Sequence, residues 1–310
     1  MAARDRRPFV SVHQPLLGTA VEVRIGGDDE AAAQADARIV AEIERLERVF
    51  TVFDPASELS QWRIGSNGSP SPELVDVLEL ALQWQLRSDG AFNPLAGRLK
   101  RMWSDAAARN ALPDQEELQA VAVSIREPRF VVDVRGARPI GDCSDLDLNA
   151  IAKGYIVDRA VAVACAIAGV ESVVVNAGGD LLHRGCGSVG VGIENPAAPY
   201  DNAPPLLVVD IVDRGLATSG SSRRGVTIGD RWFSHVIDPR TGHPVDHVRS
   251  ASVIAADAAT ADAIATVVGV LEPAHAIAFV DELVDVSCLV VDATGALWRS
   301  SGWSAYERSS

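Results

Sequence analysis

Leu146-Asp-Leu-Asn-Ala-Ile-Ala-Lys-Gly-Tyr155 opens a stretch that continues through an apolar segment to Gly169 and then Val173-Val-Val-Asn-Ala-Gly-Gly-Asp180. Small and apolar residues recur at helical spacing over Ile151–Ala168, and Gly169 supplies a C-terminal stop. Asp145–Leu148 before the helix reads as a strand, and Ser172–Asn176 after it as a β-branched strand. Working outward, Val10–Ile25 reads as strands around Leu17-Gly18-Thr19. Ala31–Phe50 carries Ile39, Ile43, Leu46 and Phe50 on one helical face. A second helix starts with Ser71 as N-cap and Pro72 at its first position, and runs to about Arg87. Asp114–Val121 reads as a helix and Phe130–Val134 as a strand. Downstream, strands are expected at Val189–Glu194, Leu206–Val212 and Ala251–Ala255. Hairpins are expected around Gly229-Asp230 and Thr294-Gly295, and helices over Thr260–Leu271 and Pro273–Leu283. Strands in clusters with few regular βαβ units predict an α+β fold. The expectation is two intimate lobes of mostly antiparallel or mixed sheet flanked by helices. No composition break divides residues 8–310, which read as one domain behind a short charged tail, 1–7.

Length and charge narrow the function. The chain has 310 residues, with 28 basic against 42 acidic side chains and a net charge of −14. An acidic surface repels phosphate backbones, so nucleic acid is not an expected partner. An anionic phosphorylated substrate would need a local remedy, such as a metal ion or a helix N-terminus. No apolar run is long enough to span a bilayer, and the charged start is not followed by a signal-peptide core or a lipid-accepting cysteine. A cytoplasmic protein is expected; export would require a different native start. Cys143, Cys165, Cys186 and Cys288 are widely spread, which argues against a zinc site or a disulfide framework.

Four segments could carry chemistry. In Leu146–Tyr155, first-turn N–H groups and Lys153 could face an anion; an ordinary joint with an exposed lysine fits equally. In Val175-Asn-Ala-Gly-Gly-Asp180, paired glycines permit positive φ and close approach of a flat or phosphorylated ligand; a plain hairpin turn also explains them. Ala217-Thr-Ser-Gly-Ser-Ser-Arg-Arg-Gly225 and Ser234-His-Val-Ile-Asp-Pro-Arg-Thr-Gly-His-Pro244 could line a polar pocket, with His235 as general base or as a structural histidine. In Ala261-Asp-Ala-Ile-Ala-Thr266, Asp262 and Thr266 share a helix face, about 5–6 Å apart at Cβ. A carboxylate among apolar neighbours needs a partner. A hard cation such as Mg²⁺ is one, which keeps water and substrate phosphate in its other positions; facing water or capping an amide are others. The chain has no HExxH, Walker A, G-x-S-x-G or catalytic Cys–His signature.

In order along the chain, these segments resemble the ApbE family of FAD:protein FMN transferases. The resemblance runs from Leu17-Gly18-Thr19 through Phe50-Thr-Val-Phe-Asp-Pro-Ala-Ser-Glu-Leu-Ser60, Gly90-Ala-Phe-Asn-Pro94, Asp147–Tyr155 and Asn176–Asp180. It continues through Ala217–Arg224 and Ser234–Val245 to Ala261–Thr266. It implies a T-fold-like architecture with FAD in the cleft between the lobes. It also implies a Mg²⁺-dependent reaction in which FMN passes from FAD to a Ser or Thr hydroxyl of an acceptor protein, with release of AMP. By the family pattern, Asp262, Thr266 and the backbone oxygen of Ala150 hold the metal, and Lys153 helps hold phosphate. Asn176, Ala177, Gly178, Gly179, Asp180, Ser219, Gly220 and Ile237 contact the flavin nucleotide, and Phe53 stacks on the isoalloxazine. His235 activates the acceptor hydroxyl, with Asp262 as second candidate. Two other readings use the same site: a FAD pyrophosphatase yielding FMN and AMP, and a FAD carrier without turnover. The chain departs from the pattern at Phe53 (commonly Tyr), Asn93 (Asp), Asn149 (Gly) and Ser221 (Asp).

Overall fold

Apolar alternation on either side of Leu17-Gly18 yields an antiparallel pair, β1 (Phe9–Leu16) and β2 (Thr19–Gly27). Both turn residues have positive φ, 53° and 67°, as a tight hairpin requires. The chain was followed in a computed structural model that describes residues 7–65, 68–198, 203–221 and 224–308. Of the expected tail, all but Arg7 lies outside the described residues, as do Ser222 and Arg223 of the hydroxyl- and arginine-rich segment.

After β2 come α1 (Asp29–Phe50), α2 (Glu58–Arg63), α3 (Pro72–Arg87), α4 (Gly97–Ala108) and α5 (Gln115–Ser124). A small hairpin follows, β3 (Phe130–Asp133) and β4 (Gly136–Pro139), and then α6 (Asn149–Cys165). The next strands are β5 (Val170–Ala177), β6 (Asp180–Gly185), β7 (Val189–Ile193), β8 (Leu207–Ile211), β9 (Gly215–Gly220), β10 (Gly225–Ile228), β11 (Arg231–Ser234) and β12 (Val248–Ala255). The chain closes with α7 (Ala258–Val270), α8 (Pro273–Asp281), β13 (Ser287–Asp292), β14 (Leu297–Arg299) and a single 3₁₀ turn at Trp303–Ala305.

Eight strands form one sheet in the order β1-β2-β5-β6-β9-β12-β13-β14, antiparallel at every step. Its centre is covered on both faces, and the alternation of side chains shows how. Val173 and Val175 belong to the main core with α1, α6 and α7, whereas Val174 points the other way, against the β7–β8 hairpin and the fully buried Trp303. Helix α7 is apolar nearly all round and almost every residue of it is buried, so it occupies the interior between α6 and the sheet. The α2–α5 segment shares that continuous core. The α+β expectation therefore holds.

Local expectations failed where tertiary contacts imitate or conceal a pattern. Asp145–Leu148 is no strand. Leu146 and Leu148 alternate because both are buried, but the backbone is a turn: Asp147 takes the Asn149 N–H on its carboxylate (2.9 Å) and gives its own N–H to the Pro94 carbonyl (2.7 Å). Helix α6 thus begins at Asn149, and Lys153 is its fifth residue rather than part of its first turn. The N–H groups of Asn149, Ile151 and Ala152 already have partners, which removes most of the anion site expected there. Gly215–Gly220, for which no strand was expected, is one because β6 and β12 pair with it on both sides, and its Thr218, Ser219 and Gly220 line the cavity as the polar-pocket reading of Ala217–Gly225 anticipated. Helix α4 lacks a side-chain cap and was not anticipated.

Gly154 faces the Ala258 carbonyl so closely that an added Cβ would collide with it. Backbone cannot yield as a flexible side chain can. Gly154→Ala should therefore destabilise the protein by about 1–3 kcal/mol, as overpacking does, and a melting curve matching wild type would refute this account of the α6–α7 contact.

Candidate active site

Every sequence-predicted site residue except Ala177 lines a single cavity of about 830 Å³. Ala177 is fully buried in the sheet, paired with Val21 and Asp180, so it contributes to the core instead. Two turns build the wall. Gly178 (φ 63°) and Gly179 (φ 105°) close a two-residue hairpin between Ala177 and Asp180, and the Asn176 side chain accepts the Gly179 N–H (3.1 Å). A Cβ on Gly178 would come within 2.7 Å of the Thr19 hydroxyl, so this turn lies directly against the start of β2. The plain-hairpin and ligand-wall readings are thus compatible.

Under this wall sits an uneven charge cluster. Lys153 Nζ lies 2.5 Å from Asp180 Oδ2, and both Asp180 and Asp262 are buried. Asp262 Oδ2 accepts the Gly154 N–H (3.2 Å). Burial raises the Asp262 carboxyl well above its ordinary pKa, and the Asp180 charge raises it further, against the pull of Lys153 and the Gly154 N–H. Asp180 is also raised by burial, against the pull of Lys153. For Lys153, burial acts downward but the two carboxylates outweigh it, so its net shift is upward and it stays charged. Among the described residues, Lys153 therefore serves both acids. Lys153, expected to help hold phosphate, has its ammonium engaged by Asp180 in this structure, so any phosphate contact would share it with that carboxylate. Thr266, one turn after Asp262, and Ala150 and Asn149 at the start of α6 border the same space.

His235 stands where β11 ends. Its N–H and its Nδ1 both meet the Arg224 carbonyl, at 3.2 and 3.0 Å. A carbonyl only accepts, so Nδ1 carries the proton and Nε2 of the neutral ring is left as an acceptor. The ring opens on the cavity, yet protein atoms crowd its other sides. That burial lowers its pKa, and the charges of Arg224 and Lys100 add to the effect. The loop beyond is tied down by residues the sequence reading missed. Trp103 donates its indole N–H to the Gly242 carbonyl (2.8 Å), and Arg240 makes a two-pronged contact with Asp238 (2.9 and 2.8 Å). This places Ile237 in the cavity wall. The only sequence signal for α4 was Leu99, Trp103 and Ala106 at helical spacing. Phe53 is 88 % exposed at the cavity mouth.

Two of the departures have local explanations. The Asn93 amide donates to the Ile125 carbonyl (2.8 Å) while its oxygen accepts the Leu95 N–H (2.9 Å), and an ionised Asp could not do the first. The Ser221 hydroxyl donates to the Val248 carbonyl (2.7 Å) and does not line the main cavity.

The ApbE family model matches residues 17–290. The chain belongs to the ApbE family. It is similar to the FAD:protein FMN transferase of Klebsiella pneumoniae (strain 342), at 30 % identity over 275 residues covering 84 % of this chain and 78 % of that protein. The FAD:protein FMN transferase of Treponema pallidum (strain Nichols) is 29 % identical over 320 residues, covering 93 % and 85 %. Among solved structures, the ApbE protein of Thermotoga maritima superposes with a TM-score of 0.85 at 24 % identity, covering 98 % of this chain and 100 % of that one. Flavin transferase ApbE from Vibrio cholerae gives 0.79 at 21 %, covering 96 % and 99 %. The fold is thus an ApbE fold, and this ApbE-family chain is an enzyme of that kind. Among the described residues, no helix is long and apolar enough to cross a membrane.

Removing Lys153 takes away the cation that, among the described residues, acts on both acids. Lys153→Met should cost about 3–5 kcal/mol, the range for breaking a buried pair. The sign with pH follows from the raised carboxyl pKa values: in acid the carboxyls are protonated and need no cation, so the loss should shrink at pH 5 and grow towards pH 8. Denaturant unfolding at the two pH values checks it, and a loss independent of pH would contradict the charge assignment.

Proposed function

We propose that this chain transfers FMN from FAD to a Ser or Thr hydroxyl of an acceptor protein through a phosphoester bond, in a Mg²⁺-dependent reaction that releases AMP. The observation that carries this reading is one cavity holding both a cation-poor acidic cluster and a histidine with an available Nε2. Residues 8–310 act as one flavin-transferase domain on this reading, in keeping with one eight-stranded sheet whose two faces carry the main core and a smaller one.

The donor set suits a hard divalent ion. Asp262 offers a carboxylate, Thr266 a hydroxyl and Ala150 a backbone carbonyl, all oxygen. No cluster of three or more His, Cys, Asp or Glu side chains fit to hold a metal occurs among the described residues, so most of the coordination would come from water and substrate phosphate, as Mg²⁺ accepts. The contact between Gly154 and Asp262 favours this use. In an α-helix the Gly154 N–H belongs to the Ala150 carbonyl, four residues back. Sharing it with Asp262 loosens the hold on that carbonyl while fixing Asp262 Oδ2. When bound, Mg²⁺ neutralises charge on the pyrophosphate and on the departing AMP phosphate.

The protein's own groups do the rest. His235 Nε2 takes the proton of the acceptor hydroxyl. The hydroxyl oxygen forms its bond to the FMN phosphorus as the bond from that phosphorus to the bridging oxygen breaks, and AMP leaves with that oxygen and its electron pair. The exposed Phe53 ring offers a stacking face for the isoalloxazine. The Asn176–Asp180 turn and β9 line the same cavity.

The first test is incubation with FAD and Mg²⁺, with and without a candidate acceptor, following AMP, free FMN and protein-bound flavin. AMP with flavin-labelled acceptor supports transfer. Equal AMP and FMN without acceptor means hydrolysis, and intact FAD with every acceptor tried means a carrier. Asp262→Ala should abolish metal-dependent AMP release; full activity in that variant would remove Asp262 from the metal site. His235→Ala should slow transfer by about 10²–10⁴-fold, the range for a lost general base, with FAD affinity retained. Because burial lowers the His235 pKa, the base stays neutral down to below the ordinary histidine value of 6.5. The acid limb of the rate profile should therefore lie below that value in wild type and vanish in the alanine variant.

A further inference from the structure

Helices α6 and α7 exchange carboxylates. Asp158 of α6 accepts the N–H groups of Ala258 (2.7 Å) and Ala259 (2.9 Å), the first two residues of α7. In return, Asp262 of α7 accepts the N–H of Gly154 in α6 (3.2 Å). Positions 154 and 158 are four apart, as are 258 and 262, so each helix presents its acid and its amide about one turn apart on the same seam. The amides that Asp158 takes are orphans of the helix start, with no partner inside α7. A carboxylate there also meets the positive end of the helix dipole.

Helix α7 has a second cap, and the difference between the two matters. Asp257, the residue before the helix, accepts the Thr260 N–H (2.7 Å). That contact stays within one short stretch of chain and stabilises α7 wherever the helix lies. Asp158 instead ties the first turn of α7 to α6 by hydrogen bonds, in addition to the packing of that turn on the sheet. Along the seam Gly154 admits the Ala258 backbone closely, so the two carboxylate bonds act across a contact made largely of small residues. A slip of one residue along a helix is 1.5 Å. The 3.2 Å bond from Gly154 to Asp262 has no such slack, since beyond about 3.5 Å it ceases to be a hydrogen bond.

We infer that Asp158 is a positioning residue for Asp262: it sets the height of α7 against α6, and so where the Asp262 carboxylate stands relative to Lys153, Asp180 and the Ala150 carbonyl. Asp158 does not line the cavity and touches no reacting group. The consequence for metal rests on the reading of Asp262 as a ligand; the consequence for the Gly154 bond does not.

The experiment compares full-length wild type with Asp158→Ala, Asp158→Asn and Asp257→Ala. Three quantities are read on each: the affinity for Mn²⁺ alone from the spectrum of the free ion, the melting temperature, and residue-resolved amide exchange at Gly154. Both alanine variants lose a helix cap, so both should melt earlier. Asp158→Ala should also bind Mn²⁺ about 10–100-fold more weakly, the usual cost of losing an outer-shell partner, and Gly154 should lose protection relative to its helical neighbours. Asp158→Asn, which keeps one acceptor oxygen, should fall between it and wild type. Asp257→Ala should keep Mn²⁺ affinity within about twofold. Equal Mn²⁺ losses in the two alanine variants at equal melting temperature would overturn the inference, as would unchanged affinity in Asp158→Ala. If wild type takes up no Mn²⁺, the metal reading fails and the exchange data decide: selective loss of Gly154 protection in Asp158→Ala upholds the positioning role, and equal loss in both variants ends it.

Discussion

Two buried carboxylates and one ammonium, held where α6 and α7 pack against each other and against the sheet, set the conditions for the rest of the molecule. Removing a carboxylate from water is unfavourable unless hydrogen bonds or opposite charge compensate. Asp180 has Lys153 at 2.5 Å, and Asp262 has the Gly154 N–H and a share of the same lysine. The compensation is incomplete, which is why burial leaves both carboxyls with raised pKa values. Structures keep such groups where they have a use, and perturbed acids in a cavity are a recurrent mark of functional sites. The sheet, the glycine turns and the approach of two helices all place this cluster at the floor of one open space.

The close approach is itself a matter of side-chain size. Gly154 admits the Ala258 carbonyl, Gly215 lies where a Cβ would strike the backbone of Asp257, and Gly178 fits against Thr19. At each point a small residue lets backbone, rather than a side chain, form the contact surface. Backbone contacts are less adjustable than side-chain contacts, and this rigidity suits a site whose parts come from six separated segments. The same logic explains why α7 can be apolar around almost its whole circumference while carrying a single acid: most of its positions pack, and Asp262, Thr266 and Val270 meet the cavity.

Local sequence rules recovered the elements whose signals are local. The Ser71-Pro72 start of α3 appeared as expected, with the Ser71 hydroxyl accepting the Leu74 N–H. The hairpins at Gly229-Asp230 and Thr294-Gly295 did too, because turn geometry is written in two or three residues. Strand Gly215–Gly220 was missed, since its identity comes from β6 and β12 on either side, not from β-branched residues of its own. Asp145–Leu148 was misread because burial of Leu146 and Leu148 produces the period of a strand on a backbone that turns.

By itself, the sequence determined the family, the α+β class and nearly all of the cavity's residues, because ordered motifs with glycines, hydroxyls and acids at fixed spacing record which groups must meet. The tertiary structure decided what those groups do to one another. Lys153, expected to help hold phosphate, is found paired with Asp180; Ala177 has its side chain in the core. Nothing in the spacing of Asp158 from its neighbours distinguishes it from an exposed helix acid. Its partners are about a hundred residues away in the chain, and hydrogen bonds at that separation exist only after α6 and α7 have packed.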